Sequence, residues 1–190
     1  MTQLTNTGLL GKTLSNVFQN KRISLPAEIL LLFLAGALAA VLHAKLRIPM
    51  QMPGRQGLVF MAVIILTRNT TKLPYASSLS FAGAAGMMAI FPLGFGSAFT
   101  PLIYLFLGPA CDFLFRIFRA GSSHFLVIGL ISGLTWMAIP LFRLLLTLTT
   151  GAYFDSFRFG YAWPIGTHLV FGILGGLLGY SVYQVFRRGR

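Results

Sequence analysis

Long apolar runs dominate the chain, and no water-soluble fold of this size has enough interior to bury them. Ile29–Leu42 and Phe125–Phe142 contain no charged residue, and Gly160–Gln184 is interrupted only by His168. A membrane-spanning helix needs about 20 predominantly apolar residues. That criterion predicts six spans, at residues 28–46, 56–68, 73–92, 98–118, 122–148 and 160–186. Charged residues are only 9% of the chain, against about a quarter in an ordinary soluble domain, and mean hydropathy is +0.78. The 18 phenylalanines exclude disorder. The lone Cys111 excludes a disulfide framework and any cysteine-based zinc or iron–sulfur site. The fold class expected is therefore all-α, a polytopic membrane protein with six transmembrane helices.

Residues 1–26 read as a polar N-terminal segment and 27–190 as a single six-helix membrane domain. Leu9, Leu10, Leu14, Val17 and Phe18 suit a short helix lying on the membrane surface, and suit a frayed tail equally well. The segment lacks the basic start, apolar core and cleavage site of a signal peptide. The second span is short, bracketed by Arg55 and Arg68, and Pro140 predicts a kink in the fifth.

Net charge is +12. A nucleic-acid partner would need a soluble basic face, which no segment offers, so no nucleic acid is expected. The cations flank the spans instead. With both termini cytoplasmic, the inner side holds Lys12, Lys21, Arg22, Arg68, Lys72, Arg116, Arg119, Arg187, Arg188 and Arg190. The outer side holds Lys45, Arg47, Arg55 and Arg158. Such an asymmetry orients short-looped membrane proteins, and it predicts a multi-pass protein of the inner (plasma) membrane, with the lipid bilayer as its surroundings.

Ionisable groups within a bilayer cost about 2.5–3.5 kcal/mol or more at mid-span unless they are paired or near water, so their depth is informative. In this topology His43, Arg143, Trp163 and His168 gather at the outer level, beneath loops carrying Gln51, Arg55, Gln56, Tyr153, Asp155 and Arg158. Ser132, Trp136, Arg143 and Thr147 share one face of the fifth span. That face suits a pocket wall in which Arg143, with Arg55 or Arg158, meets an anionic or strongly polar ligand bidentately. Arg143 snorkelling to the headgroups is the competing account, and His43 and His168 read first as helix–helix hydrogen-bond partners, with ligand contact the alternative. Asp112 precedes Arg116 by four residues, a spacing that predicts an intrahelical pair, with a proton-coupling carboxylate as the alternative. Small residues in spans one, three and six mark close helix packing or a docking face.

No phosphate-binding loop, HExxH motif or serine nucleophile with a spaced base occurs. Neither catalytic residues, a metal nor a cofactor is expected.

The pattern as a whole resembles the substrate-binding S components of energy-coupling factor (ECF) transporters, a class of ABC importer. The resemblance is carried by the six short spans, by Ala35-Gly36-Ala37-Leu38-Ala39 with Ala40 and Ala44, and by the first loop, Leu46-Arg47-Ile48-Pro49-Met50-Gln51-Met52-Pro53-Gly54. It implies capture of a vitamin-like micronutrient, with ATP hydrolysis left to a transmembrane coupling subunit and two ATPase subunits. It implies that Ala35, Ala39, Ala40 and Ala44 dock the coupling subunit, and that the first loop is a lid holding Gln51, Arg55 and Gln56 nearest the substrate. The loop is similar to that of the biotin-binding members, which makes biotin a first guess, although their full proline-rich signature is missing. The substrate-binding set then comprises Gln51, Arg55, Gln56, Trp136, Arg143, Tyr153, Arg158, Trp163 and His168. Competing accounts are a self-sufficient carrier or channel, an intramembrane enzyme, and an accessory subunit of a larger membrane complex.

Overall fold

A computed structural model describes residues 21–46, 52–91, 93, 97, 99–118, 124–158 and 160–188. The N-terminal apolar stripe and Gln51 lie outside the described residues. Six α-helices follow one another: α1 (Lys21–Lys45), α2 (Gly57–Thr70), α3 (Ala76–Ile90), α4 (Thr100–Ile117), α5 (Phe125–Thr150) and α6 (Ala162–Arg188). A 3-10 turn at Asp155–Phe157 lies between the last two, and no strand occurs among the described residues. α1 begins at Lys21, so the boundary expected at residues 26 and 27 falls inside a helix.

Four helices, α1, α4, α5 and α6, are long and apolar enough to cross a membrane. Their outward faces carry exposed large apolar side chains, among them Leu31 and Leu38 of α1, Phe106 and Phe113 of α4, and Leu126 of α5. Water would penalise such a surface and acyl chains would not, which marks the chain as membrane-embedded. α2 and α3 have 14 and 15 residues, about 21–22 Å of helix against a hydrocarbon core of about 30 Å.

The helices close into a ring. α1 packs on α2 and α3, α3 on α4, α4 on α5, α5 on α6, and α6 back on α2. Phe60, Met61, Ile64 and Ile65 of α2 are fully buried. The far end of α2 is level with that of α6, since Asn69, Thr70, Tyr183 and Arg187 line one small cavity there. Its near end stops at Gly57, where a Cβ would strike the indole of Trp136 and the turn of residues 53–56 takes over. The missing turns of α2 are thus replaced by a loop, and a cavity opens beside that loop.

Glycine sets the helix crossings. A Cβ on Gly36 would overlap Ser80 O, and one on Gly83 would overlap Phe33 O, so α1 and α3 meet backbone to backbone. A Cβ on Gly175 or Gly179 would overlap α2, and one on Gly172 or Gly176 would overlap α5. The small residues therefore serve internal packing. Ala39 and Ala40 have 0% exposure and present no surface to a partner, while Ala35 and Ala44 are half-buried. The expected docking stripe is corrected in that respect: its centre is core.

Asp112 is also corrected. Its partner is Arg68 of α2, Nη1 to Oδ1 at 3.0 Å, and Arg116 is exposed. The backbone N–H groups of Ser77 and Ser78 donate to the same carboxylate at 3.2 and 2.9 Å, and the Ser78 hydroxyl donates at 2.6 Å. Tyr75, at the N-cap of α3, provides no side-chain cap. Asp112 supplies one from α4, where the helix dipole also favours negative charge.

Candidate functional site

The loop, α1, α4, α5 and α6 bring their polar residues to one end of the bundle. A cavity of about 440 Å³ opens there, within the size range of small-molecule sites. Its wall includes His43 from α1, Arg55 and Gln56 from the turn, Thr100 and Tyr104 from α4, Trp136, Ile139 and Arg143 from α5, Asp155 and Ser156 from the last loop, and His168 from α6.

The turn is held from below. Gly54 has φ +79°, and a Cβ there would lie 2.6 Å from Nδ1 of His168. Only glycine meets both conditions at low cost. The Trp136 indole N–H donates to Gly54 O at 3.1 Å. His168 donates from Nδ1 to Pro164 O at 2.7 Å, which leaves Nε2 as the polar atom of its ring. The indole and this imidazole stack, with centroids 6.1 Å apart and planes 26° apart. His43 and Tyr104 lie 5.9 and 6.0 Å from the indole, and the Tyr104 hydroxyl is 3.4 Å from His43 Nδ1. Gln56 reaches His43 from the turn. Four rings from four helices thus form one continuous aromatic wall.

Arg143 stands at the end of this wall. It lies seven residues beyond Trp136, hence on the same face of α5. Its guanidinium sits over the Phe154 ring, 5.7 Å from the centroid, and among the described residues it has no ion pair. Nε is buried with no hydrogen-bond partner, and the same is true of the Thr100 and Ser156 hydroxyls. Buried polar atoms are normally partnered. These three border the cavity, while Arg68 Nε and the Ser77 and Ser80 hydroxyls, also without partners, lie away from it.

A second cavity of about 330 Å³ adjoins the first and shares Arg143, Asp155 and Ser156 with it; Ser97, Phe99, Tyr153 and Phe154 complete its wall. Residues 152–158 run past both cavities as a strap, bounded by Gly151 (φ +71°) and Gly160 (φ +90°).

Of the residues expected at the site, Arg55, Gln56, Trp136, Arg143 and His168 come together around the larger cavity. Tyr153 is 73% exposed and belongs to the outer one. Trp163 is 48% exposed and lines neither cavity, and Arg158 lies on the exposed side of the strap. These two are corrected: α6 turns Trp163 away from His168, as an interfacial indole would be. Ser132 is not a wall residue, because its hydroxyl donates to Gly172 O at 2.7 Å across the α5–α6 crossing. Sequence reasoning missed Tyr104 and Thr100. The available signal was the spacing of Thr100, Tyr104, Gly108 and Asp112, four residues apart along α4.

The floor of the cavity is solid. Phe60 stacks under Trp136 at 5.2 Å and touches Phe81 and Tyr104, with Leu107 and Ile64 also fully buried in the same core. No family model, curated protein or solved structure matches the chain.

Proposed function

We propose that the protein is a membrane-embedded substrate-capture subunit of an importer of the ECF type, with both termini cytoplasmic, six crossings and the cavity facing outward. One observation carries the reading: a half-open cavity at one end of an apolar bundle, bordered by a pinned turn and by a guanidinium that has no ion pair among the described residues. The aromatic floor beneath it supports capture over conduction, since a channel needs a path through Phe60, Phe81 and Leu107. Substrate is a vitamin-sized polar molecule. Energy comes from a transmembrane coupling subunit and two ATPase subunits, which meet surfaces other than Ala39 and Ala40.

The test is native mass spectrometry of the protein in mild detergent. One vitamin-sized compound per chain is expected, absent from an Arg143→Ala variant that still runs as a folded species. A parent that carries no small molecule but retains other membrane subunits would sink the capture reading in favour of an accessory role.

A further inference from the structure

Building on the capture reading, we propose that the strap of residues 152–158 is the gate of the site. It swings on Gly151 and Gly160, the Phe154 ring on Arg143 latches it shut, and the turn of residues 53–56 is the fixed part of the rim.

A gate is needed because the wall is partly closed. The larger cavity is half-open, yet Thr100 on its wall is only 2% exposed. The hydroxyls of Thr100 and Ser156 and the Nε of Arg143 are buried without partners. A ligand meets these groups only after some part of the rim moves.

The turn is tied down. The Trp136 indole N–H donates to Gly54 O at 3.1 Å, and Gly54 sits so close to His168 that a Cβ would lie 2.6 Å from Nδ1. The backbone N–H groups of Gly57, Leu58 and Phe60 donate to the carbonyls of Gly54, Arg55 and Gln56, which makes the turn continuous with α2. The strap is built differently. Phe157 N–H donates to Phe154 O, Arg158 N–H to Asp155 O and Gly160 N–H to Phe157 O, while Ala152 N–H donates to Thr150 Oγ1 at the end of α5. These bonds close on the strap and its base, and the edge-to-face pair of Phe154 and Phe157 stiffens it from within. Its contact with the cavity wall is the Phe154 ring over the Arg143 guanidinium, a cation–π pair that separates without breaking any backbone bond.

Both ends of the strap have room to turn. Gly151 and Gly160 have φ +71° and +90°, and a Cβ at either would meet nothing within 4 Å. Glycine passes between such conformations and ordinary ones at little cost, and domain and loop closures concentrate their rotation at a few positions of this kind. Motion here also has a consequence for volume. Asp155 and Ser156 of the strap line both the 440 Å³ and the 330 Å³ cavity, so lifting the strap joins the two.

The test needs no ligand. Thr100→Cys places a thiol on the closed wall, and buried Cys111 provides a silent background. The full chain in mild detergent is treated with iodoacetamide and followed by intact-mass spectrometry, the parent chain taking no label. Thr100→Cys should react far more slowly than Tyr153→Cys on the exposed strap. Adding Phe154→Ala or Phe154→Leu should speed the reaction at Thr100→Cys about tenfold, since both remove the ring from the guanidinium. Phe154→Tyr keeps the ring and should keep the slow rate. Gly151→Ala should speed it about fivefold, because its methyl group meets nothing and acts through the strain of a positive φ. Gly166→Ala, equally uncrowded but within α6, should leave the rate alone. Thr100→Cys reacting as fast as Tyr153→Cys overturns the closed wall. No reaction in any variant, or acceleration by Phe154→Ala without Phe154→Leu, overturns the latch, and indifference to Gly151→Ala overturns the hinge. A bound compound in mass spectrometry beneath a strap that does not move defeats this inference alone, whereas a moving strap over a cavity that carries no compound defeats the capture reading alone.

Discussion

Two buried charges, Asp112 and Arg143, show opposite solutions to the same problem. Asp112 is only 8% exposed, yet it receives Arg68, two backbone N–H groups and a hydroxyl. Arg143, a donor only, has no ion pair among the described residues, and its Nε finds no acceptor. Asp112 is thus compensated within the bundle, whereas the charge of Arg143 is left without an ion pair among the described residues, which inside a membrane is costly to keep. Asp112→Ala is predicted to destabilise the bundle by about 3–5 kcal/mol, the usual cost of stranding one half of a buried pair. Arg116→Ala should stay within about 0.5 kcal/mol, as an exposed substitution does. Unfolding in detergent separates the two, and equal effects would restore the intrahelical pair. The sequence made Arg143 legible because Trp136 lies on the same helical face. It hid the partner of Asp112, since Arg68 reaches it only through the α2–α4 arrangement and local spacing offers Arg116 alone.

At the scale of elements, apolar length alone located all six helices to within a few residues, with the start of α1 the largest miss. It did not say what their small residues face. Gly83 and Ala39 look alike in sequence whether they meet a partner protein or a neighbouring helix, and only the crossing of α1 with α3 decides. Gly83→Ala places a methyl group against Phe33 O, and overpacking of this kind costs about 1–3 kcal/mol. Gly166 of α6 has open space around it, so Gly166→Ala is expected to be neutral or to stabilise by up to about 1 kcal/mol through helix propensity. Thermal melts of the two variants check the pair, and a neutral Gly83→Ala would mean that α1 does not sit tightly on α3. The turn at residues 53–56 follows the same logic with a different readout. Gly54→Ala combines a positive φ with a clash against His168, and should loosen the roof. Faster loss of the co-purifying compound on washing, followed by native mass spectrometry, is expected with little change in melting, because the turn contributes no core residue.

The whole molecule is polar at both ends and apolar between them, but the two ends differ in kind. One end has the cavity, the strap and the pinned turn. The other has Arg68 locked to Asp112, and the close of α2 beside Arg187. The two larger cavities thus lie at one end, and under the proposed capture role orientation decides whether they open outside or inside the cell. In the proposed topology, with both termini cytoplasmic, the cavity faces outside. Buried Cys111 gives a silent background for testing this with single cysteines. Tyr153→Cys, on the exposed strap, should react with a membrane-impermeant maleimide on intact cells. Arg187→Cys and Lys72→Cys, both at exposed positions, should react only after permeabilisation. Lys72 adds a separate point, because it follows the short helix α2: labelling from within shows that α2 and its preceding loop together complete a crossing. The inverse pattern at Tyr153 and Arg187 would turn the cavity toward the cytoplasm, and an uptake role would then be untenable whatever ligand the site holds.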